Sequence, residues 1–260
     1  MPLLDLKFRA TEKVRKIVGL PSHKFDIDMF ELDPGEKARR SAAASDGISK
    51  LFFGHQGRII HKWIHYLDIY QHHFAAYRNT PVKFLEIGVF KGGSLELWRN
   101  YFGMNATIFG IDIDPACATY VSPPNQVRIG SQDDANFLRS VVDEMGAPDI
   151  ILDDGSHVGR YQRASFDALF PLLKDGGLYA IEDLHASYWP ERWEGGHRRK
   201  GTMIEHIKDM IDDMHAWYHR KPVTTPARDH IRAMHIYDSI VVIEKQKIER
   251  PSVTKVGEGS

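Results

Sequence analysis

The feature that most constrains this chain is a regular alternation of short β-type runs with helical stretches across its middle. The runs VKFLEI (82–87), ATIFGID (106–112), QVRIG (126–130), PDIILD (148–153) and GLYAIED (177–183) have the β-branched and aromatic character of strands. Helical stretches separate most of them, at residues 94–102, 133–145 and 159–173. A strand that runs parallel to its predecessor needs a crossover of helical length, so this alternation predicts βαβ units and a sheet covered on both faces. After a further helix-like stretch at 202–219, IRAMHIY (231–237) and IVVIEK (240–245) lie close enough to pair as a hairpin across Asp238-Ser239. The expected fold is α/β: a doubly wound, mostly parallel seven-stranded sheet ending in an antiparallel C-terminal hairpin, with a helical N-terminal extension.

Residues 1–54 read as an N-terminal arm with turn signals at Asp33-Pro34-Gly35 and a small-residue patch SAAAS ending near Asp46-Gly47. From His55 to Arg78, the apolar positions Ile60, Trp63, Ile64, Leu67, Tyr70 and Phe74 recur at spacings of three and four. That spacing predicts a leading amphipathic helix over 55–78, with His61, His65, His72 and His73 on its solvated face. Residues 55–250 are then one domain, and 251–260 a frayed tail.

With 42% of 260 residues hydrophobic, the chain can bury one substantial core. A formal net charge of -1, with acids and bases interspersed, argues against nucleic-acid partners, because such binding needs a concentrated basic stripe. The single Cys117 cannot form an internal disulfide, and charges interrupt the apolar residues of MPLLDLKFRATEK. No window approaches the roughly 20 apolar residues of a membrane-spanning helix. A cytoplasmic protein with a small-molecule ligand is expected.

In open α/β sheets, ligands bind beyond the carboxyl ends of the strands. The loop after the first strand reads EIGVFKGGS, where Gly88, Gly92 and Gly93 allow close backbone approach and Ser94 can cap the next helix. Val89, Phe90 and Lys91 follow Gly88, so the dinucleotide pattern G-x-G-x-x-G is missing and a nicotinamide dehydrogenase is disfavoured. Glu86 places a negative charge that would repel phosphate and attract an ammonium group. Asp112, at the end of the second strand, stands where a carboxylate accepts hydrogen bonds from a ribose. A ribose together with a cationic amino acid suggests S-adenosylmethionine; a tight turn beside a surface Asp is the plainer alternative.

On LEIGVFKGGSLELW, IFGIDIDP, IGSQDD, IILDDGSH and GGLYAIEDLHASYW, in that order, the chain resembles the class I S-adenosylmethionine-dependent methyltransferases over residues 55–245. Within them it is most similar to the metal-dependent sugar O-methyltransferases of the macrocin and mycinamicin type. The resemblance implies a Rossmann-like methyltransferase fold and a cofactor site around Glu86, Gly88, Ser94 and Asp112. It further implies adenine contacts from Ser131, Gln132 and Asp133, with Asp153 near the methionine part. Ser131 stands where many relatives carry Asp.

Asp153 and Asp154 close the fourth strand, and Glu182 and Asp183 the fifth. If these strands are neighbours, as the class I topology implies, four acids share one small volume, which a hard divalent cation such as Mg2+ would neutralise. The resemblance implies Asp154, Glu182 and Asp183 as its ligands and His157 as the general base that takes the acceptor hydroxyl's proton. His185 is the rival base. Alternatively, Asp153 and Asp154 cap the helix starting near Gly159. The segment HASYWPERWEGGHRR (185–199) suits either a lid hinged at Gly195-Gly196 that stacks on sugar faces or a loop packed onto the sheet.

The leading expectation is thus Mg2+-dependent O-methylation of a sugar hydroxyl on a glycoside or saccharide. A catechol-like phenol acceptor, or a noncatalytic domain that retains the cofactor pocket, are the other readings. Similar enzymes imply a homo-oligomer.

Overall fold

A computed structural model describes residues 30–45, 47–190, 193–223, 225 and 228–257. Most of the 1–54 arm, together with the end of the tail, lies outside the described residues. Asp33-Pro34-Gly35, expected as a turn, instead starts a helix. The Asp33 carboxylate accepts the Gly35 and Glu36 amides, and Pro34 needs no donor partner at the first position of α1 (Pro34–Ala43). α2 (Gly47–Phe53) follows.

The leading helix is shorter than its apolar periodicity predicts. α3 spans only Tyr66–Phe74, extended by one 3-10 turn over Ala75–Tyr77. Residues 55–65 instead form an irregular strap. Its Ile60, Trp63 and Ile64 still pack against the core, which satisfies the three-and-four spacing without helix. Gly57 marks the break, since a Cβ there would lie 2.1 Å from the Glu96 carboxylate.

The expected alternation then unfolds in order: β1 (Lys83–Ile87), α4 (Gly93–Phe102), β2 (Thr107–Asp112), β3 (Gln126–Ile129), α5 (Ala135–Met145), β4 (Ile150–Asp153), α6 (Gly159–Leu169), β5 (Leu178–Ile181), α7 (Met203–Met214), β6 (Ile231–Ile236) and β7 (Val241–Lys245). The seven strands are ordered β3-β2-β1-β4-β5-β7-β6. β1 to β5 are parallel, and β7 runs antiparallel to both β5 and β6, as the hairpin pattern predicted. Strand order reverses between β1 and β4, which puts the loops after these two strands side by side.

Alternating side chains divide the core between the two faces of the sheet. Phe84, Ile108, Leu152, Ala180 and Val242 meet Tyr70, Phe74, Trp98 and Phe102 from α3 and α4. Leu85, Ile111, Ile151, Tyr179 and Ile243 meet Leu138, Phe166 and Met210 from α5, α6 and α7. Each such side chain, removed from water, contributes about 1.5–3 kcal/mol. The same parity sends Glu86 toward α3 and α4, and Asp153 toward α6. Acids at neighbouring strand ends therefore leave the sheet on opposite sides.

Candidate functional site

The loop from β1 to α4 is tight because its glycines have no side chain. Gly88 has φ 96°, and a Cβ there would lie 2.0 Å from the Asp154 carbonyl oxygen. At Gly93 a Cβ would lie 2.2 Å from the Arg58 carbonyl oxygen, so the strap crosses the first turn of α4. Asp112 anchors this loop. One of its oxygens accepts the Val89 and Phe90 amides at 2.9 and 3.1 Å, and the other accepts the Asp114 amide at 2.9 Å.

Glu86 is fully buried. It accepts hydrogen bonds from Ser94 Oγ at 2.7 Å and Trp98 Nε1 at 3.2 Å, and burial raises its pKa. Helix α4 begins behind Gly92, whose φ is 85°, so Ser94 holds Glu86 instead of capping.

Asp153 is equally buried, on the other face, among Ser165 Oγ, Gln132 Nε2 at 3.3 Å and the Gly155 amide at 3.4 Å. Burial pushes its pKa up to about 6. Gln132 also accepts the Ser156 amide at 2.7 Å and so ties the β3 loop to the β4 loop. Ser131 and Asp133 pair with each other at the surface. Neither Asp153 nor Asp154 caps α6, whose N-cap is Val158 with no side-chain cap.

β4 and β5 are hydrogen-bonded neighbours with Asp153 opposite Ile181, and the Glu182 amide donates to the Asp153 carbonyl at 3.0 Å. Register thus places Asp154 beside Glu182 and Asp183. His157 and Asp183 both have left-handed backbones, φ 58° and 55°, a costly conformation for residues with a Cβ that collects at functional turns. These turns aim His157 Nε2 at Asp183 Oδ2, 3.5 Å away, and at Asp154 Oδ1, 4.0 Å away. One ligand atom each from Asp154, His157 and Asp183 lies within 4.8 Å of the others. Two carboxylates and an imidazole so converged are a donor set that fits a divalent cation and leaves coordination positions for substrate oxygens.

Glu182 turns elsewhere. Its carboxylate receives Lys62 Nζ at 3.0 and 3.1 Å and the Tyr70 hydroxyl. Lys62 Nζ also lies 2.5 Å from Asp154 Oδ2 and 3.5 Å from Glu86 Oε1. Burial and the adjacent Asp154 hold the Glu182 pKa well above the carboxylate range, against the pull of Lys62. Burial opposes the Lys62 charge too, yet Asp154, Glu182 and Glu86 keep its pKa well above that of an ordinary lysine. Tyr66 completes the set: its hydroxyl accepts the Asp183 amide at 3.1 Å and lies 3.0 Å from Asp183 Oδ1.

Sequence reasoning missed Lys62, Tyr66 and the polar use of Tyr70. Tyr66 and Tyr70 share one face of α3 through their spacing of four, whereas Lys62 lies in the strap before the helix, where no helical spacing signals it.

His185, the rival base, is not a member of the converged Asp154, His157 and Asp183 group. Its Nδ1 lies 2.5 Å from Ser239 Oγ, its ring packs on Trp63 and Trp189, and burial lowers its pKa. In the 185–199 segment, the Gly195 and Gly196 amides donate to the Trp189 and Ser187 carbonyls at 2.7 and 2.8 Å, and Trp189 is buried. This is the packed-loop arrangement. A cavity of about 320 Å³ opens above the acids, lined by Phe30, Phe53, Ile60, His61 and Trp63 and floored by Asp154, Glu182 and Asp183. Of the remaining histidines, His65 bonds the Asp238 carbonyl and His73 the Tyr237 hydroxyl. Among the described residues, no helix is long and apolar enough to cross a membrane.

A parallel sheet with a reversed terminal hairpin, a glycine loop and a carboxylate at the β2 end together define a class. Residues 85–184 match the model of a family described as a methyltransferase domain. More particularly, it is similar to the 8-demethyl-8-(2-methoxy-alpha-L-rhamnosyl)-tetracenomycin-C 3'-O-methyltransferase of Streptomyces olivaceus, at 39% identity over 70% of this chain and 50% of that protein. It is 36% identical to the mycinamicin VI 2''-O-methyltransferase of Micromonospora griseorubida, over 68% of this chain and 47% of that one. The chain thus spans about half the length of the curated relatives it matches. Among solved structures, it resembles the MycE methyltransferase from the mycinamycin biosynthetic pathway in complex with Mg and SAH. That match has 34% identity, a TM-score of 0.65, and covers 72% of this chain and 51% of that one.

Proposed function

We propose that this chain is an S-adenosylmethionine-dependent, Mg2+-dependent O-methyltransferase acting on a sugar hydroxyl of a glycoside or saccharide. The observation that carries the reading is the juxtaposition, at the β1/β4 switch point, of the glycine loop with Asp154, His157 and Asp183. The names of its relatives supply the acceptor class.

In this reading Glu86, Gly88, Ser94 and Asp112 shape the methionine and ribose part of the cofactor pocket. Ser131, Gln132 and Asp133 line its adenine end, and Asp153 braces the floor through Gln132. Asp154, Glu182 and Asp183 would hold the metal. When bound, the divalent ion would lower the pKa of the acceptor hydroxyl and fix its line of attack. His157 Nε2 takes the hydroxyl proton as the oxygen attacks the sulfonium methyl. The new C–O bond forms as the S–C bond breaks, its electron pair staying on sulfur, to leave a methyl ether and S-adenosylhomocysteine.

The test is calorimetric titration of the purified chain with S-adenosylhomocysteine, with and without EDTA, followed by a methyl-transfer screen of rhamnosides against catechols. Absence of cofactor binding at high concentration sinks the reading; preference for catechols changes the acceptor class and leaves the residue roles in place.

A further inference from the structure

Lys62 does what the proposed ion would do. Its side chain is 2% exposed and its ammonium contacts Asp154, Glu182 and Glu86 at once. Acids converging from β1, β4 and β5 repel one another unless a cation lies between them, and in this chain the cation is covalently attached.

The segment that carries it lies outside the regular elements. The strap over residues 55–65 belongs to no strand ladder, because it lies between α2 and α3 outside the sheet. Ile60, Trp63 and Ile64 hold it on the core, and its polar ties around Lys62 include a 3.4 Å hydrogen bond from the Arg58 amide to Glu96, the Arg58 guanidinium over the Tyr120 ring, and His65 on the Asp238 carbonyl. A lysine is a point charge on a flexible four-carbon stem, able to leave without dragging a planar fork of hydrogen bonds.

The acids are already sorted for an exchange. Lys62 takes Asp154 Oδ2, while Asp154 Oδ1 is the oxygen nearer His157. Glu182 is the one proposed metal ligand that stands apart from the converged group, and both of its oxygens are held by Lys62. An ammonium and a divalent ion on the same carboxylate oxygens would repel strongly at such distances.

We infer that Lys62 is a positioning residue that stands in for the divalent cation: it holds Asp154 and Glu182 together before the metal arrives and surrenders them to it. The inference rests on the metal-dependent reading above. It accounts for how Glu182, turned toward the strap, enters the ligand set, and it makes the metal affinity of the site a property of residue 62.

The test uses the intact chain with S-adenosylhomocysteine in every sample. Lysines are acetylated with an N-hydroxysuccinimide ester, with and without saturating Mg2+, and mapped by peptide mass spectrometry. Lys62 stays unmodified without Mg2+ and becomes modified with it, while the exposed Lys200 and Lys255 react equally in both. In parallel, Mn2+ binding is titrated by electron paramagnetic resonance. Lys62→Met binds Mn2+ at least about tenfold tighter than wild type, as expected on removing a unit charge from the immediate neighbourhood of the ion.

Lys62 protected in both samples overturns the inference, as does Lys62→Met with unchanged or weaker Mn2+ affinity. If Lys62→Met fails to fold, the labelling of the wild-type chain decides alone. A wild-type chain that binds cofactor but no Mn2+ overturns the metal-dependent reading and this inference together. Normal Mn2+ binding with a protected Lys62 overturns only the inference.

Discussion

Replacing Tyr66 by Phe removes one oxygen atom from the site and nothing from the core. The ring is fully buried, and phenylalanine keeps its contacts with Tyr70 and His65. What is lost is the hydroxyl that accepts the Asp183 amide at 3.1 Å and lies 3.0 Å from both Asp183 Oδ1 and the Ser239 carbonyl oxygen. A part-buried amide left unpaired costs about 1–3 kcal/mol. For a chain of this size that lowers Tm by roughly 2–4 °C per kcal/mol.

The local effect is more telling. Asp183 sits in the left-handed region at φ 55° and ψ 38°, a conformation costing about 1–2 kcal/mol that its surroundings must hold in place. Freed from Tyr66, Asp183 drifts from His157. Loss of a partner that orients a metal ligand typically weakens metal binding about 10–100-fold. The expected outcome is therefore Mn2+ affinity down by that factor in a paramagnetic-resonance titration, a modest fall in Tm by circular dichroism, and S-adenosylhomocysteine affinity within about twofold of wild type. Tyr66→Leu, which also loses ring packing, serves as the structural control. Unchanged Mn2+ affinity in Tyr66→Phe refutes the reasoning whatever happens to Tm, because the hydroxyl would then not be what holds Asp183.

His157→Ala should lower kcat by about 10²–10⁴ while sparing cofactor affinity, measured by a radiolabelled methyl-transfer assay beside calorimetry; retained activity would remove His157 as base. Gly88→Ala forces a Cβ into left-handed backbone 2.0 Å from the Asp154 carbonyl and should cost at least about 1–3 kcal/mol and abolish S-adenosylhomocysteine binding; a wild-type melt with normal binding would contradict the close loop packing. Burial, reinforced by His235 and His72, depresses the His73 pKa from 6.5 to about 4. The unfolded chain then takes up the proton more readily, so this contribution to stability is complete above pH 6.5 and is lost as pH falls from 6.5 through 4. His73→Gln should accordingly lose less Tm than wild type between about pH 7 and about pH 5, and an equal loss would count against the assignment.

Much of the fold was legible because it rests on local rules. The short β-type runs became β1 to β7 within two residues of their expected ends, and the short link at Asp238-Ser239 did reverse the chain. The helix expected over 55–78 failed at its N-terminal half for a reason periodicity cannot see. A stretch that lays Ile60, Trp63 and Ile64 on the core satisfies the three-and-four pattern whether it is helix or strap. The strap brings Lys62 into contact with three acids separated from it in sequence by 24, 92 and 120 positions, and such distant contacts leave no trace in a local pattern.

The acids at the ends of β4 and β5 could be read as a pair because strand adjacency follows from topology, and adjacency alone brings strand ends together. The sequence by itself determined which residues stand at strand ends and that a glycine loop would lie beside the DDGSH loop, while Asp153, expected to share one volume with the other three acids, turned to the opposite face. The strand ends and the loop placement follow from a fixed side-chain period and a short list of chain connections. Only the tertiary structure decided which oxygen of each acid is free, that His157 and Asp183 adopt left-handed turns, and that a lysine from outside the sheet lies among the carboxylates. Those are outcomes of long-range charge balance in a buried volume, and no local pattern of residues encodes where a distant ammonium comes to rest.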